Sequence, residues 1–349
     1  MKRLRLSIIG FGTVGQGLAE LLVTKRSLLL HKFALEVSLI SVANARHGFI
    51  YREEGLDIPT LLKLAGSRRP LTEHPGIQHW QNALEGLRAT GGDVLAEATG
   101  TNLRDAEPGM SHIRAALEQD IHVITANKGP AALAAKELLA LARQHSVQLR
   151  MESTVMAGTP VISTLSEGMA GARIRAIRGI LNGTTNYILS AMAAGCDYAE
   201  ALAEAQMQGY AEADPTADVE GYDTLAKTLI LSAVVFDHPL RPEQVFRQGI
   251  SALTREQVSR ANSEGKRIKL IASLRLPSED SAEESLPETR VEPMELSLSD
   301  PLARVDGVMN AIVVQTDTLP EVAIIGPGAG RLQTGQGLLA DLIAIANEY

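Results

Sequence analysis

The chain has 349 residues and a formal net charge of −8, and 45% of its residues are hydrophobic but only 3% aromatic. This acidic balance argues against a general nucleic-acid binder, which needs a basic face, and no apolar run is long enough to span a membrane. The one cysteine, Cys196, cannot form an intrachain disulfide, and we find no signal peptide, so we expect a reducing, cytoplasmic location.

Residues 4–22 predict a strand, a glycine-rich turn and a helix. An apolar run ending at Ile9 leads into a turn made of Gly10, Phe11, Gly12, Thr13, Val14 and Gly15. Gly10 permits the tight turn, Gly12 lets phosphates approach the backbone, and Gly15 allows close helix packing. The N–H groups at the start of the helix attract an anion. Such turns also occur for purely structural reasons, but the strand before and the helix after this one predict dinucleotide binding.

Residues 1–151 alternate strands and helices, which predicts a Rossmann-type, doubly wound parallel sheet in an α/β fold. The further strands are expected over residues 35–42, 94–99, 123–126 and 147–151, with helices over 113–118 and 131–143. We expect residues 46–90 to be a loop-rich excursion with short helices.

Residues 152–320 change to runs of helices followed by runs of strands, which predicts an α+β substrate-binding and dimerisation domain. The helices are expected over 160–170, 184–194, 199–208, 223–235, 242–248 and 254–265, and the strands over 267–275, 290–298 and 310–315. The acidic stretch 277–284 is expected to form a solvated hairpin tip.

Residues 321–349 contain a second glycine-rich loop, 325–330, and a helix expected over 335–347. This segment is either a turn with a terminal helix or a return to the dinucleotide-binding domain, where it would border the cofactor. The sequence alone favours neither interpretation, so both stay open.

Two basic residues lie where a parallel sheet binds ligands, at the carboxyl ends of its strands. Arg46 follows the second strand, where no acid is present to accept a hydrogen bond from the ribose of NAD. An arginine there favours NADP, because it can bind the 2′-phosphate. Alternatively, Arg46 is a solvated loop residue. Lys128 follows the strand that ends near Ala126 and is either beside the nicotinamide and the substrate oxygen or directed to solvent.

The densest cluster of charged residues is the stretch 209–227. Its Asp223 and Lys227 share one helix face through their i, i+4 spacing, either as a surface ion pair or as reactive groups. The apolar run after Lys227 favours the second interpretation, because a lysine on a buried helix is costly unless it is paired or used.

The turn over residues 151–160 is a weaker candidate site. Its glycine and proline force the chain to turn, and several carbonyl oxygens together with Glu152 could bind a hard cation. A plain interdomain turn explains the same residues.

Six motifs in order along nearly the whole chain resemble the homoserine dehydrogenase family. They are GFGTVGQG, TANKGP, ESTVMAGTPV, GILNGTTNYIL, GYAEADPTADVEGYDTLAK and GPGAG followed by a helix containing Asp341. The resemblance implies a short form without aspartokinase or ACT domain. It also implies reversible oxidation of L-homoserine to L-aspartate 4-semialdehyde with NAD(P), in threonine, methionine and isoleucine biosynthesis.

The resemblance further implies a role for individual residues. Lys227 would donate the proton to the carbonyl oxygen, and Lys128 would be a second cation at that oxygen. The substrate would be held by Glu212, Asp218 and Asp223, with Glu212 on the ammonium group. The cofactor would also contact Thr99, Lys128, Gly209 and Gly330. A sodium ion would be held by Glu152 and by the carbonyls of Val155, Ala157 and Thr159.

The segment after the predicted strand 94–99 departs from the family pattern. It lacks paired glycines and looks lengthened over residues 102–112. A dehydrogenase of a related hydroxy-amino-acid or semialdehyde therefore stays open, as does a non-catalytic dinucleotide sensor, although the joint presence of Lys128, Asp223 and Lys227 favours an enzyme. We expect a homodimer or homotetramer with a small-molecule substrate.

Overall fold

The computed structural model describes residues 1–277 and 287–348. In these ranges the chain forms two compact units, one of residues 1–160 with the C-terminal segment from Ala329, the other of Val161–Gly328. The acidic stretch expected as a hairpin tip lies outside the described residues from position 278 onward. In the described part, no helix combines the length and the apolar character needed to cross a bilayer.

The first unit is built on a mostly parallel sheet, as expected. Its described strands are β1 (Lys2–Ile9), β2 (Leu35–Asn44), β3 (Gly48–Tyr51), β4 (Gln78–Trp80), β5 (Val94–Glu97), β6 (His122–Thr125) and β7 (Leu149–Arg150), in the order β4-β3-β2-β1-β5-β6-β7. Strand β1 pairs in parallel with β2 on one side and with β5 on the other, so the strand order reverses between β1 and β5. Ligands bind such sheets outside the carboxyl ends of the strands at this point.

The excursion over residues 46–90 is more regular than expected. Strands β3 and β4 extend the sheet as an antiparallel ribbon beside β2. Phe49 and Trp80 hold the ribbon together, with ring centroids 6.0 Å apart in a T-shaped contact. Both strands lie among the glycine, proline and basic residues of the excursion, which indicate loops, and this is why the sequence did not reveal them.

Helices flank this sheet. The first unit contains α1 (Thr13–Thr24), α2 (Arg26–Phe33), α3 (Ile58–Gly66), α4 (Ala83–Thr90), α5 (Gly109–Leu117), α6 (Lys128–Gln144) and α7 (Ser153–Met156). The start of α6 is capped by Asn127, whose side chain accepts from the N–H of Gly129. Capping of this kind satisfies a backbone donor that the first turn would otherwise leave unpaired.

The second unit contains a mixed sheet with helices, which agrees with the expected α+β class. Its described elements are β8 (Ile174–Ile180), α8 (Gly183–Ala193), α9 (Tyr198–Met207), α10 (Thr216–Val219), α11 (Tyr222–Val235), β9 (Phe246–Arg247), α12 (Arg255–Ser263), β10 (Lys266–Arg275), β11 (Glu288–Ser297), β12 (Met309–Thr316) and β13 (Val322–Pro327). The strand order is β13-β12-β8-β10-β11-β9.

Three segments of the second unit differ from expectation. A π-helical turn occupies Thr164–Gly168 within the helix expected over 160–170. The helix expected over 242–248 is a short 3-10 turn, Pro242–Gln244, followed by β9, because β9 pairs with β11 instead of continuing the turn. The loop expected over 325–330 begins as part of β13, which pairs with β12 up to Pro327.

The last helix, α13 (Arg331–Glu348), belongs to the first unit and packs against α1. Two glycines make this close approach possible. A Cβ on Gly17 would overlap the carbonyl of Arg331, and a Cβ on Gly335 would come within 2.8 Å of the Gly17 carbonyl carbon. Buried leucines on both helices, such as Leu18 and Leu338, complete the packing.

Candidate active site

The glycine-rich turn leaves space for a ligand at the start of α1. A Cβ on Gly10 would overlap the backbone of Ala98, so the turn packs tightly on the end of β5. A Cβ on Gly12 would meet no heavy atom of the described residues within 4 Å. Gly12 is also the N-cap of α1 and supplies no side-chain cap, and Thr13 and Val14 begin the helix. The helix start therefore offers backbone N–H groups to an anion.

The glycine-rich turn is also fixed by hydrogen bonds to the end of β2. The N–H groups of Gly10 and Phe11 both donate to the carbonyl of Ala43, at 2.9 Å each. A Cβ on Gly15 would come within 2.5 Å of the Gly10 carbonyl oxygen, so only glycine allows this contact between helix and turn. Phe11 itself is buried.

Arg46 lies in the turn that follows β2, the strand next to β1. The side-chain oxygen of Asn44 accepts from the N–H groups of Arg46 and His47, at 3.1 and 2.7 Å, and so fixes this turn. The Arg46 side chain is exposed and makes no ion pair with the residues that the structure describes. It is thus available to an anionic ligand at the carboxyl edge of the sheet.

A hydrogen-bonded chain joins the ends of β5 and β6. The fully buried Glu97 accepts from the hydroxyl and, at 3.2 Å, from the N–H of Thr99. The Thr99 hydroxyl accepts from the side-chain amide of Asn127 at 3.0 Å. Asn127 caps α6, and Lys128 is the first residue of that helix. Sequence reasoning missed Glu97 and Asn127, although an asparagine directly before a helix signals an N-cap.

The turn predicted to bind a cation is buried in the first unit. Glu152, Val155, Ala157 and Thr159 are each less than a tenth exposed, and Ala157 has a positive φ of 52°. Helix α13 holds this turn, because Asp341 accepts from the N–H of Glu152 at 3.0 Å and Ser153 donates to the carbonyl of Thr334 at 2.8 Å. Among the described residues no three His, Cys, Asp or Glu side chains cluster as metal ligands. A cation here would therefore depend on backbone carbonyls, which hard cations accept as ligands.

The second unit brings Asp218, Asp223 and Lys227 together. Lys227 Nζ lies 2.8 Å from Asp223 Oδ2 and also donates to the carbonyl of Leu181. The amide nitrogen of Asn182 donates to Asp218 at 2.6 Å and to Asp223 at 3.0 Å. Lys227 is only 6% exposed and both aspartates are half-buried, so the contact of Lys227 with Asp223 is not a surface ion pair.

Burial raises the pKa of Asp218, and the neighbouring carboxylate of Asp223 raises it further. The hydrogen bond from Asn182 and the charge of Lys227 oppose this shift. A carboxyl group with a raised pKa beside a buried ammonium is the kind of arrangement found at functional sites.

The loop with Gly209 and Glu212 lies beside the base of α8. The Thr184 hydroxyl donates to the carbonyl of Tyr210 at 2.6 Å, and the carbonyl of Glu212 accepts from Gln206 at 3.0 Å. The side chain of Glu212 is exposed, and Gly209 has a φ of +75°. Gly330 belongs to the first unit and has a φ of +130°, directly before α13.

Contacts from β9 and the residues after it hold the segment between Asp218 and Asp223, and the sequence did not predict them. The Arg247 guanidinium lies 3.7 Å from the ring centre of Tyr222 and also donates to the carbonyl of Glu220. The N–H of Ile250 donates to the carbonyl of Val219 at 2.8 Å. The segment between Asp218 and Asp223 is thereby held on both sides. No local sequence signal marks Arg247, because its partners lie more than twenty residues away.

The two units offer complementary chemistry. The first presents a helix start without a side-chain cap and two basic residues, Arg46 and Lys128, at the carboxyl edge of its sheet. The second presents an ammonium group among carboxylates. The first set suits a dinucleotide and the second a small substrate that carries a charge and exchanges a proton.

Two family sequence models match the chain. One is described as "Homoserine dehydrogenase, NAD binding domain" and covers residues 10–152, and the other is described as "Homoserine dehydrogenase" and covers residues 160–343. Among sequence relatives, the NAD(+)-dependent homoserine dehydrogenase of Pseudomonas canavaninivorans is 39% identical over 347 residues, which is 99% of this chain and 97% of that protein. The homoserine dehydrogenase of Methanocaldococcus jannaschii is 36% identical over 341 residues, covering 97% of this chain and 98% of the relative.

Solved structures give the same result. A hyperthermophilic archaeal homoserine dehydrogenase mutant in complex with NADPH has a TM-score of 0.84 and 30% identity, covering 100% of this chain and 99% of that one. A homoserine dehydrogenase from Thiobacillus denitrificans has a TM-score of 0.83 and 33% identity, covering 99% of this chain and 74% of that one.

Proposed function

The chain belongs to the homoserine dehydrogenase family, and from that premise we propose which residues carry the reaction. It is an NAD(P)-dependent oxidoreductase that interconverts L-homoserine and L-aspartate 4-semialdehyde, a step of amino-acid biosynthesis. The nicotinamide, when bound, supplies or accepts the hydride. The protein must therefore place the substrate, stabilise charge on its oxygen and move one proton.

Lys227 is the proton donor to the aldehyde oxygen in this proposal. The observation that carries it is the buried ammonium group held between the carboxylate of Asp223 and the carbonyl of Leu181. As hydride reaches the aldehyde carbon, negative charge grows on the oxygen, and an ammonium group beside it both stabilises that charge and delivers the proton. In the reverse direction the neutral amine accepts the proton from the hydroxyl group of homoserine.

Lys128 supplies a second positive charge at the same oxygen in this proposal. Asn127 fixes the helix start from which Lys128 projects, which supports a defined position for its side chain. The carboxylates of Glu212, Asp218 and Asp223 hold the substrate, with Glu212 on its ammonium group. Two cations near one oxygen and carboxylates near the amino group match the charge pattern of aspartate semialdehyde.

The cofactor lies, we propose, along the glycine-rich turn from Gly10 to Gly15, with its nicotinamide end near Thr99 and Lys128. Gly209 and Gly330 border it. Among its two forms NADP is favoured, because no acid follows β2 and the exposed Arg46 can pair with a 2′-phosphate. The names of its relatives include both an NAD(+)-dependent enzyme and an NADPH complex, so the preference is a property to measure in this chain.

We also propose a sodium site formed by Glu152 and the carbonyls of Val155, Ala157 and Thr159. The burial of this turn and the positive φ of Ala157 support it, since a buried reversal of the chain turns carbonyl oxygens away from regular helix bonding. The ion would stabilise the turn and has no step in the proposed proton transfer.

A cytoplasmic homodimer or homotetramer completes the proposal, with the second unit forming the subunit interface. Light scattering on the purified protein tests the assembly, and a monomeric mass would contradict it. The lone Cys196 supports the reducing compartment.

The decisive experiment is a steady-state substrate panel with NADPH and with NADH. We expect turnover with aspartate semialdehyde and homoserine, at a higher kcat/KM with NADPH. Greater turnover of another hydroxy-amino-acid or semialdehyde would favour the related dehydrogenase. Tight NADPH binding without any turnover would favour a dinucleotide sensor.

A further inference from the structure

A buried carboxylate and imidazole lie directly behind the proposed nicotinamide end of the cofactor site. Glu97 is the last residue of β5, at the point where the strand order of the sheet reverses, and it is fully buried. His112, on the first turn of α5, is 6% exposed, and its Nδ1 lies 3.5 Å from Glu97 Oε1. Among the described residues, neither Glu97 Oε2 nor His112 Nδ1 has a hydrogen-bond partner.

Burying Glu97 and His112 together lowers the stability of the folded protein. Buried polar groups without partners destabilise the folded state, and apolar side chains of similar size would fill the same space at lower cost. What the carboxylate does provide is a fixed acceptor. Glu97 Oε1 accepts from both the N–H and the hydroxyl of Thr99, so the hydroxyl proton of Thr99 points toward Glu97.

The orientation of Thr99 determines that of its neighbour. Because the Thr99 hydroxyl donates to Glu97, its lone pairs face Asn127, whose amide nitrogen donates to it at 3.0 Å. This leaves the side-chain oxygen of Asn127 to accept from the N–H of Gly129 at 3.0 Å and cap α6. Every link from Glu97 to the helix start of Lys128 thus has a defined donor and acceptor.

We propose that Glu97 and His112 are positioning residues, which fix Thr99 and the start of α6 and thereby the place of the Lys128 ammonium group. His112 packs against the carboxylate and limits its rotation. The inference rests on the proposed roles of Lys128 and Thr99 in the dehydrogenase reaction. Neither Glu97 nor His112 touches the substrate in this proposal.

The test compares variants that remove or keep the acceptor. Glu97→Met and His112→Leu should lower kcat by about 10- to 100-fold, which is the effect of displacing a reacting group by about an ångström. Glu97→Gln keeps an acceptor oxygen for Thr99 and should restore most of the activity. The primary isotope effect with NADPH deuterated at the transferred position should rise in the impaired variants, because hydride transfer becomes slower relative to product release.

A matched control is His122→Gln. His122 is also a buried histidine of this sheet, but it begins β6 at the opposite end, where its Nδ1 accepts from the N–H of Gln148 at 3.0 Å. This variant should lose stability and keep kcat, KM and the isotope effect. If folded Glu97→Met and His112→Leu behave like this control, the pair is merely structural and the proposal is overturned.

Three further variants keep the test independent of folding and of the proposed function. If the buried variants do not fold, Thr99→Val and Thr99→Ser replace them, because Thr99 is partly exposed. A loss of kcat in Thr99→Val and its recovery in Thr99→Ser support the chain of hydrogen bonds. An equal kcat in both variants overturns it.

Lys128→Met tests the role proposed for Lys128 itself. If it keeps wild-type kcat, the function proposed for Lys128 fails; if it loses kcat while Glu97→Met does not, only the positioning proposal fails.

Discussion

Lys227 Nζ lies 2.8 Å from Asp223 Oδ2, one helical turn away on α11, and the lysine is 6% exposed. The same ammonium group donates to the carbonyl of Leu181, which follows β8. A local pair on one helix is thus joined to the end of a central strand. An ammonium group has three N–H donors, and in the proposed reaction the third would face the substrate oxygen.

Replacing Lys227 with Met should abolish most turnover and leave cofactor binding intact. We expect kcat to fall by about 10²- to 10⁴-fold, the usual contribution of a positioned general acid. NADPH fluorescence titration should give a Kd close to that of the unaltered protein, because the glycine-rich turn belongs to the other unit.

Lys269 provides the control for that experiment. It is a second buried lysine of the same unit, bonded to Asn186 at 3.0 Å and Asp306 at 2.8 Å. Lys269→Met should lower Tm and leave the kcat of the folded protein unchanged. An equal loss of kcat in both variants would show that any buried lysine of this unit supports activity indirectly.

Gly12→Ala should weaken cofactor binding without destabilising the fold. The new Cβ meets no described atom, and the φ of Gly12 is −91°, so the folded chain tolerates alanine there. The methyl group would nevertheless occupy the space that the pyrophosphate needs. We expect a higher KM for NADPH with an unchanged Tm.

The matched variant is Gly17→Ala, where the new Cβ would overlap the carbonyl of Arg331 on α13. It should destabilise the first unit by about 1–3 kcal/mol through overpacking. Urea unfolding and NADPH titration separate the two effects. If Gly12→Ala loses stability and keeps its affinity for NADPH, the turn is purely structural.

Local patterns made part of this architecture predictable. The strand, turn and helix around Gly12 follow from periodicity and glycine spacing within twenty residues, and the contact of Asp223 with Lys227 follows from i, i+4 spacing. Strands β3 and β4 were missed because they lie among glycine, proline and basic residues that indicate loops, whereas the equally short β5 and β6 are parts of apolar runs. The helix expected over 242–248 was wrong because β9 pairs with β11, a partner more than forty residues away.

Side chains that join distant segments were not predictable either. Asn182 links Asp218 and Asp223 across 36 and 41 residues, and Arg247 reaches the carbonyl of Glu220 across 27. Propensity and spacing describe neighbours along the chain, whereas these contacts exist only after the sheet has formed. The residues proposed to act in the chemistry therefore carry more local sequence signal than those that hold them in place.

Arg46→Ala should weaken NADPH binding more than NADH binding. The loss of a charge-assisted contact with the 2′-phosphate should raise the KM for NADPH by about 10- to 100-fold, whereas NADH has no phosphate there to lose. Arg52→Ala is the control, because Arg52 follows the neighbouring strand β3 and already pairs with Glu54 at 3.3 Å. Equal changes for both cofactors would remove the structural argument for NADP.

Because the pKa of Asp218 is raised, we expect its contribution to the free energy of unfolding to decline as the pH rises. Burial and the carboxylate of Asp223 keep its carboxyl group protonated in the folded protein at pH values where the unfolded chain, with a pKa near the usual 3.8, has lost the proton. The folded state then binds more protons than the unfolded state, so this group's contribution to stability is full below 3.8 and is lost as pH rises through the folded pKa. Asp218→Asn should abolish that decline.

Asp214, two residues before α10, has the opposite behaviour and serves as the control. Hydrogen bonds from Thr216 lower the pKa of Asp214, so its contribution is present above the usual 3.8 and is lost as pH falls through the folded value. Urea unfolding from pH 3 to pH 7 should therefore show that Asp218→Asn gains stability relative to the unaltered protein as pH rises, whereas Asp214→Asn loses it. A pH-independent difference for Asp218→Asn would mean that its carboxyl group titrates alike in both states, which would contradict the raised pKa of Asp218 in the folded protein.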